Sequence, residues 1–435
     1  MAQPVIVQEP SLLQFAHALC GVFSLPQWKY LVTVLLGLLH CDGHHTLSGL
    51  LRQVAVTMTV SGLSRFLKQA PWSVDELTAA RQARFYAQVA AEIAQAHAQQ
   101  RQQQPRRRGR RRKTVVTGFL IADDSTHVKR YARAMEGQGW YYSSADRSPQ
   151  PGHSLFQCLY CLFGRQLPLT PHLYRQRVVC EREGVPFQSK VDLLEQEIRT
   201  FTPPPGTHTH LLIDAWYTNH RIWRATRQRG WDITGGLKDN RRLRLITADG
   251  QRLWQCLDDY AASLTPADFQ PVVWPSQEGG QVVYGHLRRT RIKKLGACQL
   301  LIVKPTPEAP LSQTRYWATS RLQDSLTQVV ANAAQRWTIE TLFADCKELM
   351  GSDHYQVRSA QAIVRFWALA LCLYQYLDEI RQRLRQECGQ HVTLGQARTW
   401  VREQHRALLL NWLSGQFAAG ASADHLHCQL ASALV

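Results

Sequence analysis

The feature that most limits what this chain can fold into is a pair of short apolar runs, each closed by aspartate. TVVTGFLIA ends in Asp123 and Asp124, and LLID stops at Asp214. Continuous runs of Val, Ile and Leu of this length are strands covered on both faces. SLFQCLYCLF and the segment near LPLTPHLY supply further strands. A charged helix follows over Lys190–Thr200, then a helix over Asn219–Arg229 and a strand over Trp231–Gly235. Strands alternating with helices in this way predict an α/β layer around a buried sheet. In such sheets, ligands and catalytic groups collect at strand ends, where both runs carry their aspartates.

The flanks have a different period. Apolar residues fall at helical spacing in Leu12–Phe23, Trp28–Leu39, Leu47–Val56 and Val74–Ala96, so residues 1–100 form a helical N-terminal region. Within it, TLSGLLRQVAVTMTVSGLSRFLKQAPW reads as two short helices joined by a polar turn, an arrangement compatible with a DNA-binding helix-turn-helix. The Gln-rich stretch AQAHAQQRQQQP then runs into RRRGRRRK, and 101–113 reads as a solvated basic linker. Residues 240–320 hold strand-like runs separated by Gly, Pro and polar turns (LRLITADG, QPVVW, QVVYGHLRRTRI, CQLLIVK, TRYWATS), which predicts an all-β insertion. Helical spacing returns at Ser325. The expected organisation is thus 1–100, the linker, an α/β core over 114–239 and 321–385 interrupted by the 240–320 insertion, and a helical end over 386–435.

Charge narrows the partner. Lys and Arg number 51 against 33 Asp and Glu, a formal net charge of +18, which favours a polyanion. Arg106, Arg107, Arg108, Arg110, Arg111 and Arg112 are the densest cluster and are expected to touch DNA phosphates. Lys238, Arg241, Arg242 and Arg244 form a second basic group, and Arg288, Arg289, Arg291, Lys293 and Lys294 a third. Trp216, Trp317 and Trp337 are available for stacking or for the core. The most apolar stretches, Tyr30–Leu39 and Phe366–Leu377, fall short of the ~20 residues that cross a bilayer and read as core helices. Eleven scattered cysteines without paired spacing, and a start without a secretory pattern, predict reduced thiols and a cytoplasmic location with no membrane partner. Cys158 and Cys161, in LFQCLYCLF, read as core, and the His40, Cys41, Asp42, His44, His45 cluster as a polar turn.

The third chemical element lies in VVANAAQRWTIETLFADCKELMG. At 100° per residue, Arg336, Glu340 and Lys347 fall within about 60° of one another on a single helix face. Ile339, Leu342, Phe343, Cys346 and Met350 make an apolar stripe at its edge, so the polar face borders a cleft. Two aspartates and a helical glutamate are a donor set for two Mg²⁺ ions, with Mn²⁺ able to substitute, in phosphoryl transfer.

At these residues the sequence resembles the DDE transposases of bacterial insertion sequences, in the clan marked by an R-x3-E-x6-K helix. That motif is Arg336, Glu340 and Lys347; IADDST, LLIDAWYTN, GGLKDNRRLR and YWATS are similar to other family blocks. The resemblance, over about residues 115–380, implies an RNase H-like catalytic core with a β-rich insertion. It also implies cleavage at the element's ends and attack of the freed 3′-hydroxyl on double-stranded target DNA, by a homodimer or larger assembly. Asp123, Asp124, Asp214 and Glu340 are the candidate catalytic and metal-binding residues, with Arg336, Lys347, Lys238, Arg241 and Arg242 beside them for DNA. A D-x-(S/T) pattern fits Asp123 and Asp124 equally, with a slight preference for Asp124. Ala333 stands where clan members often carry tyrosine. The competing functions are another RNase H-like nuclease and a catalytically silent DNA-binding regulator.

Overall fold

The computed structural model describes residues 10–54, 58–103, 115–143, 146–246, 249–276, 279–423 and 426. Among the described residues five α-helices come first: α1 (Pro10–His17), α2 (Leu25–His40), α3 (Leu47–Leu51), α4 (Val60–Lys68) and the long α5 (Val74–Gln103). Their starts are set locally. Ser24 and Gln27 form a capping box at α2, and the Thr46 and Thr59 hydroxyls accept backbone N–H groups at α3 and α4. α2 is buried continuously from Leu31 to Leu39, as a helix apolar on all sides must be.

The chain then lays down β1 (Val116–Val128), β2 (Gly139–Ser143), β3 (Ser148–Leu162), β4 (Arg165–Pro168) and β5 (His172–Tyr174). Helices α6 (Arg177–Glu183) and α7 (Lys190–Thr200), strand β6 (Thr207–Ile213), helix α8 (His220–Gln228) and strand β7 (Asp232–Leu237) follow. β3 runs antiparallel to β1, and β4 and β5 are antiparallel to β3. On β1's other edge, β6 is parallel to β1 and β7 parallel to β6. The fold is mixed α/β.

Residues 240–320 contribute β8 (Arg242–Ile246), β9 (Arg252–Cys256), α9 (Leu257–Ala262), β10 (Gln270–Trp274), β11 (Gln281–Ile292), β12 (Gly296–Lys304) and β13 (Arg315–Thr319). This segment is neither all-β nor a sheet of its own. It contains α9, and β13 pairs antiparallel with β7, so its strands extend the first sheet into one of 13 strands. Local periodicity cannot reveal this, because β13 pairs with residues far earlier in the chain, Tyr316 with Leu237 and Thr319 with Thr234.

The last helices are α10 (Leu326–Ala334), α11 (Thr338–Met350), α12 (Ala360–Cys388) and α13 (Leu394–Ala418). The helix expected to run unbroken through the Arg336 motif is divided by a 3₁₀ turn at Gln335–Trp337. The two halves serve different cores. Val329, Val330 and Ala333 of α10 pack with Val272, Val283, Leu301, Val303 and Trp317 of the β-rich segment. Ile339, Leu342, Cys346 and Met350 of α11 join α12, the N-terminal helices and Ile121 of β1. A second large core lies on the sheet's other face, where Leu120 and Ala122 meet α5, α7 and α8, so that the α10 core is the third and smallest.

Two other expectations change. β1 does not stop at its aspartates but continues to Val128, because β3 goes on pairing with it after β6 has ended at Ile213. The Gln-rich stretch is helical through Gln103 as the end of α5. Ala, Gln and Arg are good helix formers, and neither Gly nor Pro interrupts them before Pro105. Cys158 and Cys161 are buried in β3, as a core reading requires.

Candidate active site

Side chains alternate across a strand, so adjacent Asp123 and Asp124 must leave β1 on opposite faces of the sheet. Asp124 points to the side of α7 and α8. Its carboxylate accepts from Lys190 Nζ at 2.6 Å, Tyr217 Oη at 2.8 Å and Ser154 Oγ at 3.2 Å. The Lys190 ammonium also lies 5.0 Å from the centroid of the Tyr174 ring. This carboxylate is enclosed by partners of its own.

Asp123 leaves the opposite face, towards α11. Arg336 Nη1 donates to Asp123 Oδ2 at 3.0 Å, and Arg336 Nη2 donates to Glu340. The i,i+4 spacing seen in the sequence therefore brings Glu340 to the first aspartate through one guanidinium. Burial, followed by the charge of Asp214, pushes the Asp123 carboxyl up to about 7, although Arg336 and the Asp124 N–H pull the other way.

Asp214 follows the last residue of β6. In the parallel register Ala122 is opposite Ile213, which places Asp123 and Asp214 at successive positions of neighbouring strands. Asp214 is fixed by its own turn. Its Oδ1 accepts from the N–H groups of Trp216 and Tyr217 at 2.9 and 3.0 Å, and its carbonyl accepts from the Thr218 hydroxyl at 2.8 Å. The turn folds down on β7, and Gly235 and Gly236 make room for it. A Cβ at Gly235 would lie 2.2 Å from Thr218 Oγ1, and one at Gly236 would lie 2.9 Å from the Ala215 nitrogen. Asp214 and Arg336 line a cleft of about 540 Å³ with Lys238, Asp258, Arg315 and Trp317.

The structure thus brings together Asp123, Asp214, Glu340 and Arg336, and sets Asp124 apart. Strand alternation places Asp123, and not Asp124, on the face of Arg336 and Glu340, a distinction that a D-x-(S/T) pattern does not record. Lys347 is held within the fold, its Nζ donating to the Thr126 carbonyl at 3.1 Å and so fastening α11 to β1. Arg241 is likewise engaged with the Thr218 carbonyl, whereas Lys238 and Arg242 are exposed. Arg106, Arg107, Arg108, Arg110, Arg111 and Arg112 lie outside the described residues. Gln100 exchanges two 2.8 Å hydrogen bonds with the backbone of Val115, at the end of β1 away from Asp123. Trp216 and Trp337 are exposed, and Trp317 is buried. Ala333 is also buried, among the residues of the α10 core. Lys190, Tyr217 and Ser154 escaped the sequence reading, since nothing in their spacing ties them to Asp124.

The donor set suits a hard divalent cation, which takes carboxylate oxygens. Burial first, and the neighbouring Asp214 charge second, raise the Asp123 carboxyl. Among the described residues no three His, Cys, Asp or Glu side chains stand ready around one point, and Arg336 occupies the space between two of the carboxylates. No helix of the described residues is long and apolar enough to cross a membrane.

No curated protein matches the sequence. A solved chain in the synaptic complex of piggyBac transposase with hairpin DNA is similar at 14% identity and a TM-score of 0.40. The match covers 73% of this chain and 57% of that one. Residues 188–376, which include Asp214 and Glu340, match the transposase DDE domain, and residues 23–252, which include both Asp123 and Asp214, match the DDE superfamily endonucleases. The second match spans more than half of the chain, and with the first it makes this protein a member of the DDE superfamily of endonucleases, of the transposase type.

Proposed function

We propose that the chain is a DNA transposase that cuts at the ends of an insertion sequence and joins the freed strand to target DNA, with Asp123, Asp214 and Glu340 as its three carboxylates. The observation that carries this is their convergence. One guanidinium, that of Arg336, bridges Asp123 of β1 and Glu340 of α11, and the parallel register of β1 with β6 brings Asp214 beside Asp123. An RNase H-like core is supported by β1, β3 and β4 as three successive antiparallel strands, with β6 and β7 parallel on the other edge of β1 and helices covering both faces.

When bound at these carboxylates, Mg²⁺ or Mn²⁺ would polarise the scissile phosphate and activate the attacking oxygen, one role for each of two ions. The chain's own residues prepare for that. Asp214 is held by its turn, Asp123 by a strand paired on both sides, and Glu340 by a helix docked through Lys347. Asp124 supports the site from behind, tying β1 to α7 and to the Tyr217 turn. Exposed Lys238 and Arg242, the Arg106–Arg112 run and the solvent face of α4 with Arg65 and Lys68 are the surfaces for double-stranded DNA. The protein acts on paired ends as a homodimer or larger assembly.

The test is cleavage of a labelled duplex carrying the element's own ends, with Mg²⁺ or Mn²⁺. Boundary cleavage should be lost in Asp123→Asn, Asp214→Asn and Glu340→Gln while DNA binding persists. Binding without cleavage by the unaltered protein, under either metal, would leave a DNA-binding regulator in its place.

A further inference from the structure

Arg336 is not placed as a cation free to meet DNA. Its side chain is only 14% exposed, and one fork of its guanidinium holds Asp123 while the other holds Glu340. Two carboxylates that must share a divalent cation are therefore already bridged by an organic one. The guanidinium has room to move. It sits on the 3₁₀ turn between α10 and α11, at the border of the Asp214 cleft and a second cleft of about 590 Å³ lined by Trp274, Arg315, Trp317 and Trp337.

We propose that Arg336 is an internal counter-cation that competes with divalent metal for Asp123 and Glu340, and that DNA phosphate opens the site by drawing the guanidinium away. The inference rests on the metal-site assignment above and adds a regulation to it. Arginine suits both positions, because its planar fork grips a pair of carboxylate oxygens or the oxygens of one phosphate equally well. Before DNA arrives, the carboxylates are neutralised and metal is held weakly. With phosphate in place, the two acids are released to the metal. Reciprocity then requires metal and DNA to raise each other's affinity by the same factor.

The experiment is Mn²⁺ titration of the full chain, previously stripped with EDTA, following the paramagnetic resonance of free Mn²⁺ with and without a duplex oligonucleotide. Arg336→Ala and Arg336→Met, the latter keeping the apolar stem, are compared with the unaltered protein and with Asp214→Asn; cooperative thermal unfolding checks each fold. Without DNA, the Arg336 variants should bind Mn²⁺ about tenfold tighter or more, the scale of one charged hydrogen bond. DNA should tighten Mn²⁺ binding in the unaltered protein and scarcely in the variants. Unchanged or weaker Mn²⁺ affinity in whichever Arg336 variant is folded overturns the competition. Asp214→Asn separates the two ideas: weakened Mn²⁺ binding upholds the site independently of Arg336, and unaltered binding removes the site and the competition together.

Discussion

The two aspartates of β1 should respond to the same substitution in opposite ways. Asp123 is 19% exposed and its carboxyl is raised from 3.8 to about 7. Between those values the folded protein holds a proton that the unfolded chain has released, so this group opposes folding increasingly as pH rises from 4 to 7, and fully above. At 1.36 kcal/mol per pH unit the cost is at most about 4 kcal/mol at pH 8 and about 2 kcal/mol at pH 5.5. Asp123→Asn should therefore stabilise the metal-free protein, more at pH 8 than at pH 5.5, while abolishing cleavage.

Asp124→Asn should do the reverse. It strips the carboxylate charge from Lys190, which is 16% exposed, and weakens the Tyr217 contact, at a cost of about 2–4 kcal/mol. Cleavage measured below the shifted melting range should survive. The assay is urea unfolding in EDTA at the two pH values, set beside strand cleavage at low temperature. A destabilised but active Asp123→Asn, or a stable and inactive Asp124→Asn, would refute the assignment of the two faces.

The remaining predictions are separate. His153 and His210 are fully buried, and burial lowers them to about 4 and about 3, so acid must charge them in the unfolded chain first. Each should cost about 1.4 kcal/mol of stability at pH 5.5 relative to pH 8, and His210→Gln should flatten the acid limb of a urea-unfolding series if the fold is kept. Gly235→Ala places a methyl on Thr218 and should cost about 1–3 kcal/mol together with cleavage, with partial recovery in the Thr218→Ala double variant; a neutral single variant would refute the close approach. Lys347→Met should lower stability by about 1 kcal/mol and leave the salt dependence of DNA binding unchanged, whereas Lys238→Ala with Arg242→Ala should reduce that slope by up to about two units.

How much could be read in advance follows from the range over which each signal acts. The strand that carries Asp123, the strand that stops before Asp214, the helix over Lys190–Thr200 and the Arg336–Glu340 spacing are local, and periodicity carries them. What escaped is set by pairing at a distance. β1 outlasts its aspartates because β3 continues beside it, and the β-rich segment joins the main sheet because β13 finds β7. The choice between Asp123 and Asp124 belongs to both kinds. Alternation says that only one can face Glu340, but which one depends on where α11 docks, and that is decided by Ile339, Leu342, Cys346 and Met350 burying themselves beside Ile121.

The same docking explains why the site should be sensitive to changes well outside it. Asp123 stands on the strand shared by the two large cores, Asp214 at the end of a strand whose Leu212 and Ile213 divide between them, and Glu340 on a helix that leaves the third core through the 3₁₀ turn bearing Arg336. No single core positions all three acids. Val330, fully buried in the third core, touches none of them, yet it anchors α10 and with it the turn that aims Arg336 at Asp123 and Glu340. Val330→Ala removes two methyl groups and should cost about 1–3 kcal/mol. If the turn is rigid, metal affinity should change as well, because loosening α10 frees the guanidinium from the carboxylates. A Val330→Ala protein that loses stability with its Mn²⁺ affinity unmoved would show that the turn decouples the third core from the site.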